Sequence, residues 1–506
     1  MRRGRDWKMA AKGCIINSLR SQRGKALCLS ALAALIAALL WQGLRPAAPF
    51  TPAAPETPKG LTQYDVTLKL LPESREMAVT EKIVFRNDTG DRLDHILLRT
   101  FLNAYRAEET SPAAGGGLMA DCYPDGFDEG SLTLYEVFWN GERAACRFDD
   151  EACTALRVTV PGMEMGETGE MTLRFTGLLP RCAHRAGEIN GVWQMGNVIP
   201  QIPLYQDHAF RADAYSPIGD PFVSPCADFS VHVFAPEGFV PACSAPLEKR
   251  EDGGWHGFIP AARDIALCVS ADYHAVSARA GHTLVTAYAR KNEDARAALK
   301  YAQQAVEVFS GLYGPYPYAA LTVCEADFPF GGMEYSGLVM IGGACFAPNM
   351  RETLELTVAH ETAHQWFYGL VGSDQVNAPW QDEAMCQWAM LRYVGKTYGQ
   401  GSYETLRYYR VDAPMMENVP GSLTPGSPID YFDSLSDYST VVYGRGAALL
   451  TALDEMLPKG TDDFLRAYAD AYRYRFVTRQ EFEAFLNRYA GMDLSPLLLD
   501  YLDTAH

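Results

Sequence analysis

A chain of 506 residues, 48% hydrophobic and 21% charged, with 43 Gly and 30 Pro, is not a disordered chain, a collagen-like fibre or a small disulfide scaffold. Its length allows roughly two to four domains, each burying its own core. A formal charge of −18 argues against nucleic acid or an acidic lipid surface as the main partner.

The charge is unevenly placed. Residues 1–25 hold eight basic side chains (Arg2, Arg3, Arg5, Lys8, Lys12, Arg20, Arg23, Lys25) against one acid, Asp6. Taking these from the totals of 44 and 62 leaves 36 basic and 61 acidic residues, a net of −25. Nineteen uncharged residues follow, Ala26 to Leu44. As a helix they would span about 28 Å, close to the hydrocarbon core of a bilayer. With the cations on the N-terminal side, 1–25 reads as a cytoplasmic tail and 26–44 as a single-pass transmembrane signal-anchor, with the acidic body outside the cell membrane. A cleaved signal peptide with the apolar core Ala26–Leu40, which would release a secreted body, is the competing reading. Pro46 and Pro49 crowd Ala47 and Ala48 and leave it no clean small-x-small site. A buried core helix fits poorly beside so basic a flank. Residues 45–58 read as a stiff Pro/Ala linker.

From 59 to 273 the strand signal dominates. Tyr64, Val66, Leu68 and Leu70 alternate, as do Val79, Ile83 and Phe85, then Met171, Leu173 and Phe175, then Phe229, Val231 and Val233. The acidic, Gly-rich stretch Glu108–Gly130 reads as a long loop. Ten of the twelve cysteines lie beyond the apolar segment, and Cys146 with Cys153 would close the shortest loop. Unpaired buried thiols are the alternative.

From 274 to 506 the period becomes mostly helical. Asn292 is placed to cap a helix with Ala295, Ala298, Ala302, Ala305 and Phe309 on one face. Short strands are expected at Leu321–Cys324 and Leu338–Ile341, on either side of a Gly-rich turn. Thr478-x-x-Glu481 is a capping box, and Gly491 is placed to end its helix.

The chemistry gathers in this second half. His360 and His364 stand four apart in His360-Glu361-Thr362-Ala363-His364, so on a helix both imidazoles project from one face and can share a zinc ion. Two surface histidines on an exposed helix are the ordinary alternative. Glu383 lies nineteen residues past His364, behind Pro379, which suits the first turn of a new helix. Two histidines and a carboxylate leave a fourth position open, as catalytic zinc sites do.

This order and spacing resembles the gluzincin metallopeptidases, specifically the aminopeptidase N family. Gly331-Gly332-Met333-Glu334-Tyr335 resembles that family's Gly-x-Met-Glu-Asn exopeptidase motif. Tyr443-Gly444-Arg445-Gly446 resembles its Tyr-x-Lys-Gly motif, and Tyr438 precedes Tyr443 at a spacing also seen there. The resemblance implies a saddle-like β-rich domain over 59–273 and a thermolysin-like zinc peptidase domain over 274–506. It implies one zinc ion on His360, His364 and Glu383, with Glu361 as general base and Tyr443 as oxyanion stabiliser. Glu334 would pair with a substrate's free α-amino group, with Gly331, Gly332, Met333 and Tyr438 around the substrate.

The implied activity is removal of N-terminal residues from peptides with a free N-terminus, in a membrane-anchored protein that binds no nucleic acid. A gluzincin endopeptidase and a non-catalytic, zinc-stabilised membrane-surface module are the alternatives; epoxide hydrolysis, known in the family, has no supporting feature here. The oligomeric state is not legible. Tyr335, Arg445 and Asp382 depart from the family's Asn, Lys and Asn, and only Gln194 and Asn197 stand where its second amine-binding residue is expected. The chain ends 63 residues after Tyr443, so the family's large helical C-terminal domain is expected to be absent.

Overall fold

The structure is a computed structural model, described for residues 56–505 apart from Ala114 and Pro420. The tail, the anchor and most of the linker therefore lie outside the described residues. Among the described residues no helix is long and apolar enough to cross a membrane.

The four alternating runs form neighbouring strands of one eight-stranded sheet. Thr62–Leu71 pairs parallel with Ala227–Phe234 and antiparallel with Glu76–Arg86, which pairs in turn with Thr168–Leu178. Tyr64, Val66, Leu68 and Leu70 are buried, as are Val79, Ile83, Phe85, Met171, Leu173, Phe175, Phe229, Val231 and Val233. A period of two places each set on one face, against a common core. Smaller sheets of four, three and two strands complete this part. The stretch Glu108–Gly130 contains short helical turns at Glu108–Thr110 and Met119–Cys122, and Cys122 and Tyr123 pack inward. All ten described cysteines carry free thiols, Cys146 and Cys153 included.

A five-stranded sheet follows, in the order His274–Ala280, Thr283–Ala289, Ala320–Ala326, Leu338–Gly342, Gly332–Met333. Its last strand is an edge, paired antiparallel through Gly332 with Ile341 and Met333 with Met340. The helix Asn292–Tyr313 buries Ala295, Ala298, Ala302, Ala305 and Phe309 as its spacing predicts. Its cap differs from the expectation: Lys291 holds the N-cap position without a side-chain bond, and Asn292 is already helical. The Thr478 capping box is made in full, and Gly491 ends that helix in the left-handed conformation (φ 68°). Buried residues of both halves join one continuous apolar core.

Candidate active site

His360 and Glu361 occupy the last turn of the helix Arg351–Ala363. His364 follows directly, still in helical backbone (φ −60°, ψ −16°), so the four-residue spacing keeps its geometry. The helix Trp380–Tyr398 delivers Glu383 from its first turn, with Pro379 at its N-cap, where the missing N–H removes no helical bond.

Three donor atoms converge. His360 Nε2 lies 3.2 Å from His364 Nε2, and Glu383 Oε2 lies 3.1 Å from the first and 3.4 Å from the second. Ligands bound at about 2.0–2.1 Å around a tetrahedral zinc ion stand roughly 3.3 Å apart. Protons answer the triangle only in part: with one Nε2 protonated, two of the three atoms still meet lone pair to lone pair, and with both protonated the two imidazoles meet proton to proton. A cation at the centre answers all three. His364 Nδ1 is 3.2 Å from Phe367 O, and a proton donated there leaves the Nε2 lone pair facing the other two donors. Among the described residues, these three form one of two clusters able to hold a metal ion; the other is Glu334, His364 and Asp382.

Glu361 faces a cavity of about 350 Å³. The edge strand passes so close to it that a Cβ at Gly332 would lie 2.4 Å from its Cγ and Oε1. Burial pushes the Glu361 carboxyl up to about 8; His364 opposes this, and Glu383 and Asp220 add to it. Tyr443 sits on a π-helical segment, Ser439–Arg445, a rare geometry that recurs at functional sites. Its hydroxyl donates to Glu383 Oε1 at 2.6 Å, and its ring stacks 5.6 Å from that of His360. Tyr438 stands edge-on to Tyr443 at 5.8 Å.

His360, Glu361, Gly331, Gly332, Tyr438 and Tyr443 line the cavity. His364 and Glu383 lie buried beneath them. Met333 and Glu334 are also buried and do not line it. Glu334 accepts a long bond from Gln375 Nε2 (3.4 Å), which bonds Asp382 Oδ2 at 2.8 Å. Burial, and then the Asp220 charge, hold the Glu334 carboxyl well above its ordinary range.

Other residues of the site carry no sequence signal. Arg185 and Asp220 form a buried ion pair (2.6 Å) in the cavity wall. The guanidinium also donates to Met333 Sδ at 3.1 Å and packs 5.1 Å from the Phe330 ring centroid. Arg410 lines the mouth. Leu118 brings the Glu108–Gly130 stretch to the wall.

Gln194 and Asn197 both spend their side chains on other protein groups. Gln194 donates to His184 O and Asp327 O and accepts from Asp327 N, while Asn197 accepts the Tyr335 hydroxyl at 2.9 Å. Arg445 is buried away from the cavity and donates to Pro414 O and Glu417 O, bracing the segment that carries Tyr443.

Residues 297–501 match the model of the peptidase family M1 domain. The chain carries a peptidase family M1 domain. Aminopeptidase N of Lactobacillus delbrueckii subsp. lactis is 22% identical over 402 residues, 74% of this chain and 46% of that protein. Leukotriene A-4 hydrolase of Xenopus laevis is 28% identical over 203 residues, 38% of this chain and 31% of its own. The chain thus spans between a quarter and a half of the curated relatives it matches. An M1 zinc metallopeptidase from Deinococcus radiodurans has a similar fold, with a TM-score of 0.60 at 18% identity over 88% of this chain and 95% of that one. The M1 domain implies zinc, and the His360–His364–Glu383 triangle fits it.

Proposed function

We propose that the chain is an aminopeptidase that holds one zinc ion on His360, His364 and Glu383. On this reading it removes N-terminal residues from peptides outside the cytoplasm, tethered through residues 26–44. The observation that carries the reading is the triangle of two imidazoles and a carboxylate beneath a cavity lined by Glu361 and Tyr443. Zinc held there supplies Lewis acidity, which makes water nucleophilic at neutral pH.

Glu361 takes the proton from the attacking water and delivers it to the departing amine. Its carboxylate is held by the helix backbone and by the close passage of Gly332, so the base is already oriented when substrate arrives. Tyr443 stabilises the oxyanion with its phenolic proton, and to do so it must release Glu383 Oε1. Glu334 is the carboxyl offered to the substrate's ammonium. Asp220 is neutralised by Arg185, while Glu334 has no cationic partner among the described residues.

The test is turnover of a panel of aminoacyl chromogenic amides by the purified full chain, with Glu361→Ala and a chelated sample alongside. Activity should require zinc and fall by about 10²-fold or more in the variant. Undiminished turnover by Glu361→Ala would sink the mechanism. The endopeptidase reading draws on Glu334 lying behind the cavity wall. Equal cleavage of a peptide and its N-acetylated form would favour it.

A further inference from the structure

Most charges in the cavity wall are answered. Arg185 is paired with Asp220, and Glu361 stands over the metal donors. Arg410 is the exception. It is exposed, shares the wall with His360 and Tyr443, and its guanidinium makes no hydrogen bond or ion pair among the described residues. Its backbone is nevertheless well held. Tyr408–Asp412 is itself π-helical and packs against the π-helical Ser439–Arg445, where a Cβ at Gly444 would lie 3.4 Å from Arg410 O. The segment that positions Tyr443 therefore also positions Arg410.

Glu334 and Arg410 lie toward different imidazoles. Glu334 has a carboxylate oxygen within 4.8 Å of a His364 ring nitrogen. Arg410 shares the cavity wall with His360.

We infer that Arg410 binds the C-terminal carboxylate of the substrate, so that the peptides cleaved are short and free at both ends. This rests on the aminopeptidase reading above. A guanidinium presents two parallel N–H donors that match a carboxylate, and an unpaired one at a cavity mouth has no desolvated partner to give up. A cavity of about 350 Å³ holds only a few residues. A longer peptide would place a neutral amide at Arg410 and lose that contact. An acidic side chain offers the same chemistry as a C-terminus, so the two sources must be separated.

The experiment takes the N-terminal residue best accepted in the chromogenic panel and builds three tripeptides on it. These are X-Ala-Ala as the free acid, X-Ala-Ala as the carboxamide, and X-Ala-Asp as the carboxamide. The wild-type full chain should cleave the free acid with kcat/KM about tenfold above either carboxamide, the difference lying in KM. That preference should shrink with added salt, because Arg410 is exposed. Arg410→Gln should bring the acid-to-amide ratio to about one, and Arg410→Lys should restore part of it. Recovery of turnover by the Asp carboxamide would assign Arg410 to an acidic side chain and overturn the claim. So would a wild type that cleaves the chromogenic amide yet treats acid and carboxamide alike, or an Arg410→Gln that keeps the wild-type ratio. A wild type that cleaves none of these substrates overturns the aminopeptidase reading itself, and this inference with it.

Discussion

A methyl group at position 332 would stand 2.4 Å from Glu361 Cγ and Oε1, well inside contact distance. Either the edge strand or the base must then move. Gly332→Ala should therefore cost about 10²-fold in kcat while leaving zinc content and melting temperature near those of the wild type. Zinc analysis and steady-state kinetics on one preparation check this, and a variant that loses its zinc would mean the strand supports the metal site instead. Tyr443 makes a second demand on the same carboxylate network. Its hydroxyl donates to Glu383 Oε1 while Glu383 Oε2 faces both imidazoles, so it orients a ligand as well as standing ready for an oxyanion. Tyr443→Phe should lower kcat by about 10²-fold and weaken zinc by about tenfold in a chelator competition. Unchanged zinc affinity would confine the phenol to the oxyanion role.

In the strand Glu76–Arg86, Glu81 occupies the face shared by Val79 and Ile83, opposite Val66 and Leu173. It is fully buried, and neither carboxylate oxygen has a partner among the described residues. Burial holds its pKa well above the ordinary 4.5. The folded state thus binds this proton more tightly than the unfolded chain does. The neutral form is tolerated below the unfolded value, and stability is lost as pH rises from there toward the folded value. Glu81→Leu should stabilise the protein by about 2 kcal/mol or more at pH 8 and by clearly less at pH 5. Urea unfolding at the two pH values measures this, and equal gains at both would refute a titrating group. The strand itself is legible because period-two alternation needs only the identity of the apolar residues; a glutamate in such a run reads as solvent-facing, and only the sheets around it reveal otherwise. The metal donors are legible for the opposite reason, since two of them lie within one helical turn and the third at the start of another helix. Arg185, Asp220 and Arg410 meet only through tertiary packing, and no local spacing announces them. A π-helical turn such as Ser439–Arg445 leaves no period distinct enough from an α-helix to read.

The β-rich residues before 273 and the helical residues after 274 are held together by buried polar clamps as well as by a shared core. Gln194 grips the Asp327 backbone from both ends of its amide, and Thr322 Oγ1 donates to Cys243 O at 2.9 Å. Arg263 is the most connected clamp. From the end of the strand Trp255–Ala262 it donates to Tyr368 O, Ser224 O and Arg475 O, and its own N–H reaches Ser336 Oγ. Two of these carbonyls belong to the helical half, one to the β-rich half, so a single buried cation pins three separate segments. Gly372 must lack a side chain to let it pass, since a Cβ there would lie 2.4 Å from the guanidinium carbon. Arg263→Leu keeps much of the apolar stem but leaves three carbonyls facing a group that cannot donate, a cost of about 3 kcal/mol or more. Because the core is continuous across both halves, the loss should fall on the molecule as a unit. Calorimetry should show one transition for the wild type and one, shifted to lower temperature, for Arg263→Leu. Two resolved transitions in the wild type, with only one moved by the substitution, would mean that the halves fold independently and that Arg263 merely rivets them together.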